Sequence, residues 1–311
     1  MTRGARGARA AAGLVLLAIA CDVRHSEPGA PPLGRKAVQD GLGRSVDVPV
    51  PAQRIASVGP SNTEILFAIG AGGQVVARDD FSDQPAEARS IPAVGSGTSL
   101  GLERLVASRP DLVLAAEIYA PEQVRALENA LLTAFFVANP TTFEGLASNV
   151  GLLGSLTGHE AEATKLQRSI QSRVQAVAER VHNAEDRPTV FYELDATDPQ
   201  QPWTAGPGGF INTLITLAGG RNVAAGDDQP FPRWSAERLL RENPQVIIVG
   251  DAKYGVTPDS VRARAGWGRI AAVRDGRVHS FDDDLVSRPG PRLVDGLEAM
   301  ARLLHPEAFR G

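Results

Sequence analysis

Cysteine, aromatic residues and long apolar runs are scarce in this sequence. Cys21 is the single cysteine among 311 residues, which excludes an intramolecular disulfide. Aromatic residues make up 5% of the chain, so the places where they gather are informative. The net charge is −4 and no long basic run follows residue 21, which argues against a nucleic-acid-binding protein. Beyond the N-terminal segment, no apolar run reaches the roughly 18 residues that span a bilayer.

The sequence patterns of common enzymes and metal sites are also missing. Neither G-x-S-x-G nor H-E-x-x-H occurs, and the five histidines lie apart without the spacing of metal ligands. We therefore expect no metal site and no resident cofactor. Glu193 and Asp195 lie at the end of a predicted strand, a place where acid–base groups of α/β enzymes occur. They leave an enzyme as an alternative, although no further residues complete a catalytic set.

The first 21 residues have the pattern of a bacterial export signal. Arginines at positions 3, 6 and 9 precede an apolar stretch that ends in small residues before Cys21. Ala18-Ile19-Ala20-Cys21 resembles a lipobox, in which the cysteine thiol receives a diacylglycerol before cleavage. We expect a signal peptide over residues 1–20, then a lipidated Cys21 within a flexible, Pro/Gly-rich tether over residues 21–45. The alternative is an ordinary signal peptide with an incidental cysteine.

One sequence frame occurs twice. The pattern E-R-L-x-x-x-x-P, followed by one further residue and three aliphatic residues, begins at Glu103 and again at Glu237. A second repeated motif lies upstream of each copy and begins at Ala71 and at Ala218. Because the two motifs keep the same order in both halves, the chain is predicted to contain two related lobes.

Predicted strands and helices alternate within each half, which indicates an α/β fold with mostly parallel sheets covered by helices on both faces. Short apolar runs at residues 54–58, 112–115, 189–193 and 246–249 are predicted strands. Between the halves, apolar residues recur at helical spacing from Leu166 to Val181 and predict one rigid helix of about 25 residues. We place the lobes at residues 46–158 and 187–311, and the connecting helix at residues 159–186.

Helix boundaries are predicted from capping patterns and proline. Ser61-Asn62-Thr63-Glu64 and Thr141-Thr142-Phe143-Glu144 each fit a capping box that opens a helix. Pro110 ends the helix of the first frame and biases Arg109 toward an extended conformation.

The scarce aromatic residues gather in loops that follow predicted strands, where open α/β sheets form their ligand crevices. Both halves contribute such residues, which suits a wide, flat, partly apolar ligand held between them. The candidate contacts are the aromatic residues Phe81, Trp203 and Phe231, the further aromatic residues Tyr119 and Trp234, and the hydrogen-bonding residues Asp284 and Arg288. For each aromatic residue the alternative is a small core beneath its loop.

Glu103 and Glu237 occupy the same position in the two frames. Both are expected in the first turn of a helix, where negative charge is favourable, so helix stabilisation alone accounts for each of them. Helix stabilisation does not require matching positions in two diverged lobes, however. A pair of acids related by pseudo-two-fold symmetry suits docking onto a two-fold partner that carries basic residues.

These blocks resemble the cobalamin, ferric-siderophore and haem class of periplasmic substrate-binding proteins of ABC importers, and among them the cobalamin-binding branch, over about residues 45–305. R-I-A-S with P-S-N-T-E-I-L-F-A resembles the family's opening block, and P-A-V-G with L-E-R-L and P-D-L-V resembles its second. The resemblance implies two Rossmann-like lobes bridged by one long helix, with small closure. It implies that one glutamate per lobe, here Glu103 and Glu237, pairs with permease arginines. It also places ligand contacts at Phe81, Trp203, Phe231, Asp284 and Arg288.

We therefore expect a monomeric, lipid-anchored solute-binding protein in the periplasm or at the outer face of the cell membrane. It would capture cobalamin or a related corrinoid and deliver it to the permease dimer of an importer. Gly97 and Ala116 stand where the cobalamin-binding branch carries aromatic residues, which leaves haem and ferric siderophores as alternatives on the same scaffold. Haem would need an axial ligand, for which Tyr119 is the loop candidate.

Overall fold

The structure, a computed structural model, describes residues 1–2, 34–116, 119, 121–184 and 186–310. The chain divides into two compact units, Met1–Pro32 and Leu33–Gly311, and all elements named below belong to the second. Cys21 and the predicted signal peptide, apart from its first two residues, lie outside the described residues.

A β-hairpin opens the second unit. Strand β1 (Gly34–Gln39) pairs antiparallel with β2 (Ser45–Val50). The carboxylate of Asp40 closes the turn, since it accepts hydrogen bonds from the backbone N–H groups of Leu42 and Arg44 at 3.0 and 2.9 Å. The predicted tether over residues 21–45 is therefore wrong from residue 34 onward. An aspartate that binds its own turn orders a segment for which the neighbouring Pro/Gly-rich composition had predicted flexibility.

The N-terminal half contains, in chain order, β3 (Ile55–Val58), α1 (Pro60–Ala68), β4 (Val75–Arg78), α2 (Leu102–Ala107), β5 (Leu112–Ala115), α3 (Pro121–Asn129) and β6 (Ala134–Phe136). Its strands form a parallel sheet in the order β4, β3, β5, β6. Every residue of β3 and β5 is buried, as expected of central strands that helices cover on both faces.

Two helices connect this sheet to the next one. Thr142 caps α4 (Phe143–Thr157), because its Oγ1 accepts the N–H of Gly145 at 3.2 Å; the predicted capping box is one residue too early. Helix α5 (Glu160–His182) has 23 residues, which corresponds to roughly 35 Å. The predicted long connecting helix is confirmed.

The C-terminal half contains, in chain order, β7 (Thr189–Asp195), β8 (Trp203–Thr204), α6 (Phe210–Leu217), β9 (Arg221–Asn222), α7 (Ala236–Glu242), β10 (Val246–Val249), α8 (Pro258–Arg262), α9 (Ala271–Arg274), β11 (Val278–Ser280), α10 (Asp284–Ser287) and α11 (Leu293–Leu304). Strand β7 pairs parallel with β9 and β10, and β10 pairs parallel with β11. The order β9, β7, β10, β11 repeats that of the N-terminal sheet. Only β8, which is antiparallel to β7, departs from the parallel arrangement among the described strands of this sheet.

Both copies of the E-R-L frame have the same local structure. A left-handed residue follows each helix, Arg109 with φ 48° after α2 and Asn243 with φ 46° after α7, and the next residue is the proline of the frame. The strand after each frame then pairs with the strand that comes first in its half of the chain: β5 pairs with β3, and β10 pairs with β7. The prediction of an extended Arg109 is wrong, but the prediction of two related lobes is confirmed.

Helix α1 begins differently from its prediction. It starts at Pro60, and no side chain caps it. Within the predicted capping box, Thr63 Oγ1 donates to Ser57 Oγ at 2.7 Å, and Glu64 binds Arg292 of the C-terminal half. The box does not form because Ser61 lies inside the helix, one residue after Pro60, and Glu64 binds Arg292 instead.

Candidate ligand-binding cleft

Two adjoining cavities lie between loops of the two lobes and share Ser287. The first has a volume of about 340 Å³ and is lined by Pro60, Phe81, Lys253, Tyr254, Asp283, Asp284, Ser287 and Arg288. The second has a volume of about 310 Å³ and is lined by Asn139, Pro140, Thr141, Leu194, Ala205, Gly208, Gly209, Phe210, Ile211, Pro230, Phe231, Val286, Ser287 and Pro289. We refer to the two together as the interlobe cleft.

The interlobe cleft lies where strands of both sheets end. Pro60 and Phe81 follow β3 and β4, Lys253 follows β10, and Asp283 follows β11. Ligands of open α/β folds bind in the loops beyond the carboxyl ends of parallel strands, so the topology itself marks this cleft as the candidate site.

Two larger depressions fit a ligand site less well. One, of about 560 Å³, is lined by side chains of α4 and α5 alone and includes no strand-end loop. The other, of about 500 Å³, lies beside Glu64 and Arg292, whose charged groups bind each other. Topology therefore favours the interlobe cleft, although each of its two cavities is smaller than either depression.

The predicted aromatic contacts divide into two groups. Phe81 lines the first cavity and Phe231 the second, and their side chains are 53% and 56% exposed. They come from different lobes, as the sequence predicts for a ligand held between the lobes. Trp203 is 42% exposed but lines neither cavity, and the guanidinium of Arg233 lies 5.8 Å from its ring centroid.

Tyr119 and Trp234 are core residues. Both are buried, and the indole Nε1 of Trp234 donates to Asp227 Oδ2 at 2.6 Å. For both residues the alternative holds, since each belongs to a core beneath its loop and not to the cleft, and Tyr119 is not placed to be an axial haem ligand.

Sequence reasoning missed Tyr254, which lines the first cavity and is 78% exposed. It stands in the loop directly after β10. The rule that identified Phe81, an aromatic residue just beyond a strand end, applies equally to Tyr254.

Arg288 links the two lobes at the first cavity. Its Nη1 donates to Oδ1 of Asp83 at 2.6 Å, and its Nη2 lies 3.2 Å from Oδ2 of Asp284. Burial disfavours the ionised form of Asp83, but the hydrogen bond and charge of Arg288 outweigh it and lower the pKa of that carboxyl. Lys253 Nζ donates to Asp284 Oδ1 at 2.7 Å. The predicted contacts Asp284 and Arg288 therefore line one cavity, within a single charged network.

A second ion pair joins the lobes beside the first cavity. Glu64 accepts two hydrogen bonds from Arg292, at 2.9 and 3.2 Å. Burial raises the pKa of the Glu64 carboxyl, against the opposing effect of Arg292. A paired geometry of this kind holds both side chains in place.

The lobes also meet beside the second cavity. The rings of Phe143 and Phe210 pack edge to face, with centroids 5.2 Å apart, and Thr213 Oγ1 donates to the carbonyl oxygen of Thr141 at 2.9 Å. Contacts between the lobes therefore lie on both sides of the cleft.

Glu103 and Glu237 occupy matching surface positions. Each lies in the first turn of its helix, α2 or α7, and each is exposed. In the described part of the chain neither carboxylate has an ion-pair partner. Ser235 Oγ accepts the N–H of Arg238 at 3.1 Å and caps α7, whereas no side chain caps α2.

The two acids considered for catalysis have structural roles. Glu193 is buried and binds both terminal nitrogens of Arg264, with Nη2 to Oε1 at 2.8 Å. Burial raises the pKa of Glu193 despite this pair. Asp195 accepts the N–H of Thr197 at 2.7 Å, and this hydrogen bond lowers the pKa of Asp195. Neither residue lines the interlobe cleft.

Two features are absent from the part of the chain that the structure describes. Among these residues, no three His, Cys, Asp or Glu side chains come together as a metal site. None of their helices is both long and apolar enough to cross a membrane.

Comparisons with known proteins agree with this geometry. The family described as "Periplasmic binding protein" matches residues 55–285, a range that includes every strand of both parallel sheets. The "Uncharacterized ABC transporter substrate-binding lipoprotein YvrC" of Bacillus subtilis (strain 168) is 30% identical over 278 residues, which are 88% of this chain and 86% of that protein.

Two solved structures are similar over most of this chain. The periplasmic vitamin B12 binding protein BtuF of Vibrio cholerae has a TM-score of 0.71 at 25% identity and covers 84% of this chain and 99% of its own. The periplasmic heme-binding protein RhuT from Roseiflexus sp. RS-1 has a TM-score of 0.73 at 25% identity and covers 83% and 99%. The two have nearly equal likeness to this chain, so the fold by itself does not choose between their ligands.

Proposed function

Since this chain belongs to the periplasmic binding protein family, we propose that it is the solute-binding lipoprotein of an ABC importer and captures cobalamin or a related corrinoid between its lobes. In this proposal residues 46–158 and 187–311 form the lobes, residues 159–186 connect them, and Cys21 carries the lipid anchor. Loss of lipid labelling in Cys21→Ser would test the anchor.

The observation that carries the ligand proposal is the pair of exposed aromatic residues on opposite lobes. Phe81 and Phe231 line adjoining cavities that share Ser287, so a ligand that spans both cavities would contact an aromatic side chain of each lobe. A wide macrocycle has the required reach, and its faces gain roughly 25 cal/mol for each Å² of apolar surface removed from water. Ordering costs reduce that gain.

The polar groups of the second cavity suit the amide-bearing rim of a corrinoid. Asn139, Thr141 and Ser287 supply hydrogen-bonding side chains, and none of the residues that line this cavity is charged. Uncharged amides can exchange hydrogen bonds with such groups without the cost of burying an unpaired charge.

Haem is the second candidate, because Tyr254 is exposed at the first cavity. A phenolate oxygen is a known kind of axial ligand for haem iron. A ferric siderophore is a third candidate on the same scaffold, with no residue of the cleft that specifically favours it.

Delivery to the importer is proposed to depend on Glu103 and Glu237. Both carboxylates are exposed at matching positions of the two lobes, and a permease dimer offers two matching basic sites for them. The ion-pair contacts would steer and orient the docked protein more than they add affinity.

A titration of the purified protein with cyanocobalamin, haemin and a ferric siderophore, followed by calorimetry, tests the ligand. We expect saturable binding of cyanocobalamin with one ligand per chain. Haemin binding that is tighter and is lost in Tyr254→Phe would favour haem over the corrinoid. Turnover of any bound ligand would instead revive the alternative of an enzyme.

A further inference from the structure

Two carboxylates, Asp283 and Asp284, and two cations, Lys253 and Arg288, line the first cavity. Both cations are already paired, and Arg288 binds a third carboxylate, Asp83, beside the lining. We propose that Asp83 is a specificity determinant, an inference that rests on the proposed ligand site. By pairing with Arg288, Asp83 makes the interlobe cleft select ligands that carry no negative charge at the first cavity. The class selected is the amide-substituted macrocycle, and the class refused is the macrocycle with free carboxylates.

Arg288 is paired with a carboxylate of each lobe. Its guanidinium lies between Asp83 of the N-terminal lobe, at 2.6 Å, and Asp284 of the C-terminal lobe, at 3.2 Å. The Arg288 side chain is largely buried, so it has little freedom to leave both partners for a third. A ligand carboxylate would have to displace Asp83 and would gain one charge-assisted hydrogen bond for the one it breaks.

Lys253 is paired as well. Its Nζ lies 2.7 Å from Asp284 and 3.9 Å from Asp283. Asp283 Oδ1 also accepts the hydroxyl of Tyr192 at 3.0 Å. Among the residues that line the first cavity, Lys253 and Arg288 are the cations, so no lining cation is left without a carboxylate.

The sum of the charges at the cleft also disfavours a ligand carboxylate. Asp83, Asp283 and Asp284 face two cations, and the second cavity contributes no charged side chain. A carboxylate that enters would meet three like charges in a partly enclosed site, where repulsion is stronger than in water. A neutral amide can donate to Asp83 and accept from Arg288 without separating them.

Asp83 is the member of this network that a substitution can probe most cleanly. It is the partner that the N-terminal lobe supplies to Arg288, and its other neighbour, Arg89, is exposed at 4.0 Å. Asp83→Asn removes one negative charge and releases Arg288 from Asp83, so that Arg288 and Lys253 share Asp284. Asp80→Asn removes the same charge from the same loop at an exposed position and leaves Arg288 paired, so it is the matched control.

The experiment compares ligands that differ in one group, a peripheral amide or the carboxylate that replaces it. Dissociation constants of cyanocobalamin and of its monocarboxylic acids, in which one peripheral amide is hydrolysed, are measured with the whole lipoprotein in detergent. For the wild type we expect at least one monocarboxylic acid to bind about tenfold more weakly than the amide. Asp83→Asn should reduce that ratio to about threefold or less, and Asp80→Asn should leave it unchanged.

Adding Arg288→Met to Asp83→Asn should restore the discrimination, because it removes the cation that the first substitution frees. Equal binding of the amide and every monocarboxylic acid by the wild type would overturn the proposal. So would an equal change of the ratio in Asp83→Asn and Asp80→Asn.

The test also separates this inference from the proposed function. If the wild type binds no cobalamin, the corrinoid proposal has failed, and the same four proteins are titrated with haemin and with its dimethyl ester. We then expect the wild type to prefer the ester and Asp83→Asn to lose that preference. Wild-type binding of haemin as tight as that of the ester would overturn the charge selection itself.

Discussion

The two lobes differ at positions that their shared topology makes equivalent. Val58 of β3 lies opposite the last residue of β5, and Glu193 of β7 lies opposite the last residue of β10. Both are fully buried, but Val58 packs in an apolar cluster, whereas Glu193 binds Arg264. The same backbone position thus holds an apolar residue in one lobe and a buried ion pair in the other.

The helices that carry Glu103 and Glu237 show a similar contrast. Leu102 and Val106, which flank Glu103 on α2, are exposed. The equivalent residues of α7, Ala236 and Leu240, are buried and half-buried. The glutamate position is therefore common to both lobes, while its surroundings are apolar in one lobe and not in the other. What the lobes share is the frame of strands and helix ends, and what they vary is the chemistry displayed on it.

The largest effect should follow from breaking the buried ion pair. Arg264→Met leaves the Glu193 carboxylate buried without its partner, and we expect the free energy of unfolding to fall by about 3–5 kcal/mol. Urea denaturation measures this change. Glu193→Leu combined with Arg264→Met places an apolar side chain where the other lobe has Val58. This double variant should recover most of the lost free energy of unfolding. A single variant as stable as the wild type would show that the two lobes do not differ in this respect.

The second effect concerns the aromatic residue that each lobe contributes to the cleft. Phe81→Ala and Phe231→Ala should each weaken ligand binding by about 1–2 kcal/mol, because each removes a side chain that lines a cavity. Trp203→Ala, which truncates an equally exposed aromatic residue outside both cavities, should change binding by less than about 0.5 kcal/mol. Calorimetry with cyanocobalamin measures all three. A dominant effect of Trp203 would return it to the ligand site and contradict the boundaries of the cleft.

The third effect tests whether the two glutamates act alike. Replacing Glu103 and Glu237 together by Ala should reduce transport by at least about tenfold and leave the dissociation constant of the ligand within about threefold. Glu160→Ala with Glu162→Ala is a matched control, since these residues are exposed acids in the first turn of α5. Unchanged transport in the first double variant would contradict the docking role. If Glu103→Ala and Glu237→Ala are also made singly, a larger loss of transport in one of them would show which helix, α2 or α7, gives its glutamate the more effective surroundings.

Much of the fold could be predicted because its signals are local. The strands β3, β5, β7 and β10 are short apolar runs between turn residues, and α5 repeats its apolar residues at helical spacing. The two related lobes could be read from the E-R-L frame for the same reason. The hairpin of β1 and β2 was missed although its turn is also local, since Asp40 accepts from Leu42 and Arg44. The neighbouring Pro/Gly-rich composition predicted flexibility instead.

The site was less predictable because its contacts are distant in the sequence. The loop positions of Phe81 and Phe231 were visible as aromatic residues after strands. Whether a loop aromatic faces the cleft or the core depends on packing, and Trp234 in the core is an example. The partner of Arg288 is Asp83, 205 residues away. No local pattern predicts such a pair, so the charge balance of the cleft emerged only from the structure.

The smallest effect concerns pH and tests the contact between the lobes at Asp83. The pKa of Asp83 is lowered in the folded protein because Arg288 outweighs the effect of burial. A carboxyl with a lowered pKa stays ionised above its ordinary value of about 4, and the stability it contributes is lost only as the pH falls through the lowered value. Cyanocobalamin affinity should therefore vary by less than about twofold between roughly pH 5.5 and 8.

No histidine lines the interlobe cleft, so its lining lacks the side chain whose ordinary pKa falls in that range. The Asp83→Asn variant has no carboxyl at this position and provides the control. A wild-type affinity that changes strongly near pH 6 while that of the variant stays constant would mean that Asp83 takes up a proton there. The ion pair with Arg288 would then be weaker than its geometry indicates. The difference in charge between the first and the second cavity would also depend on pH.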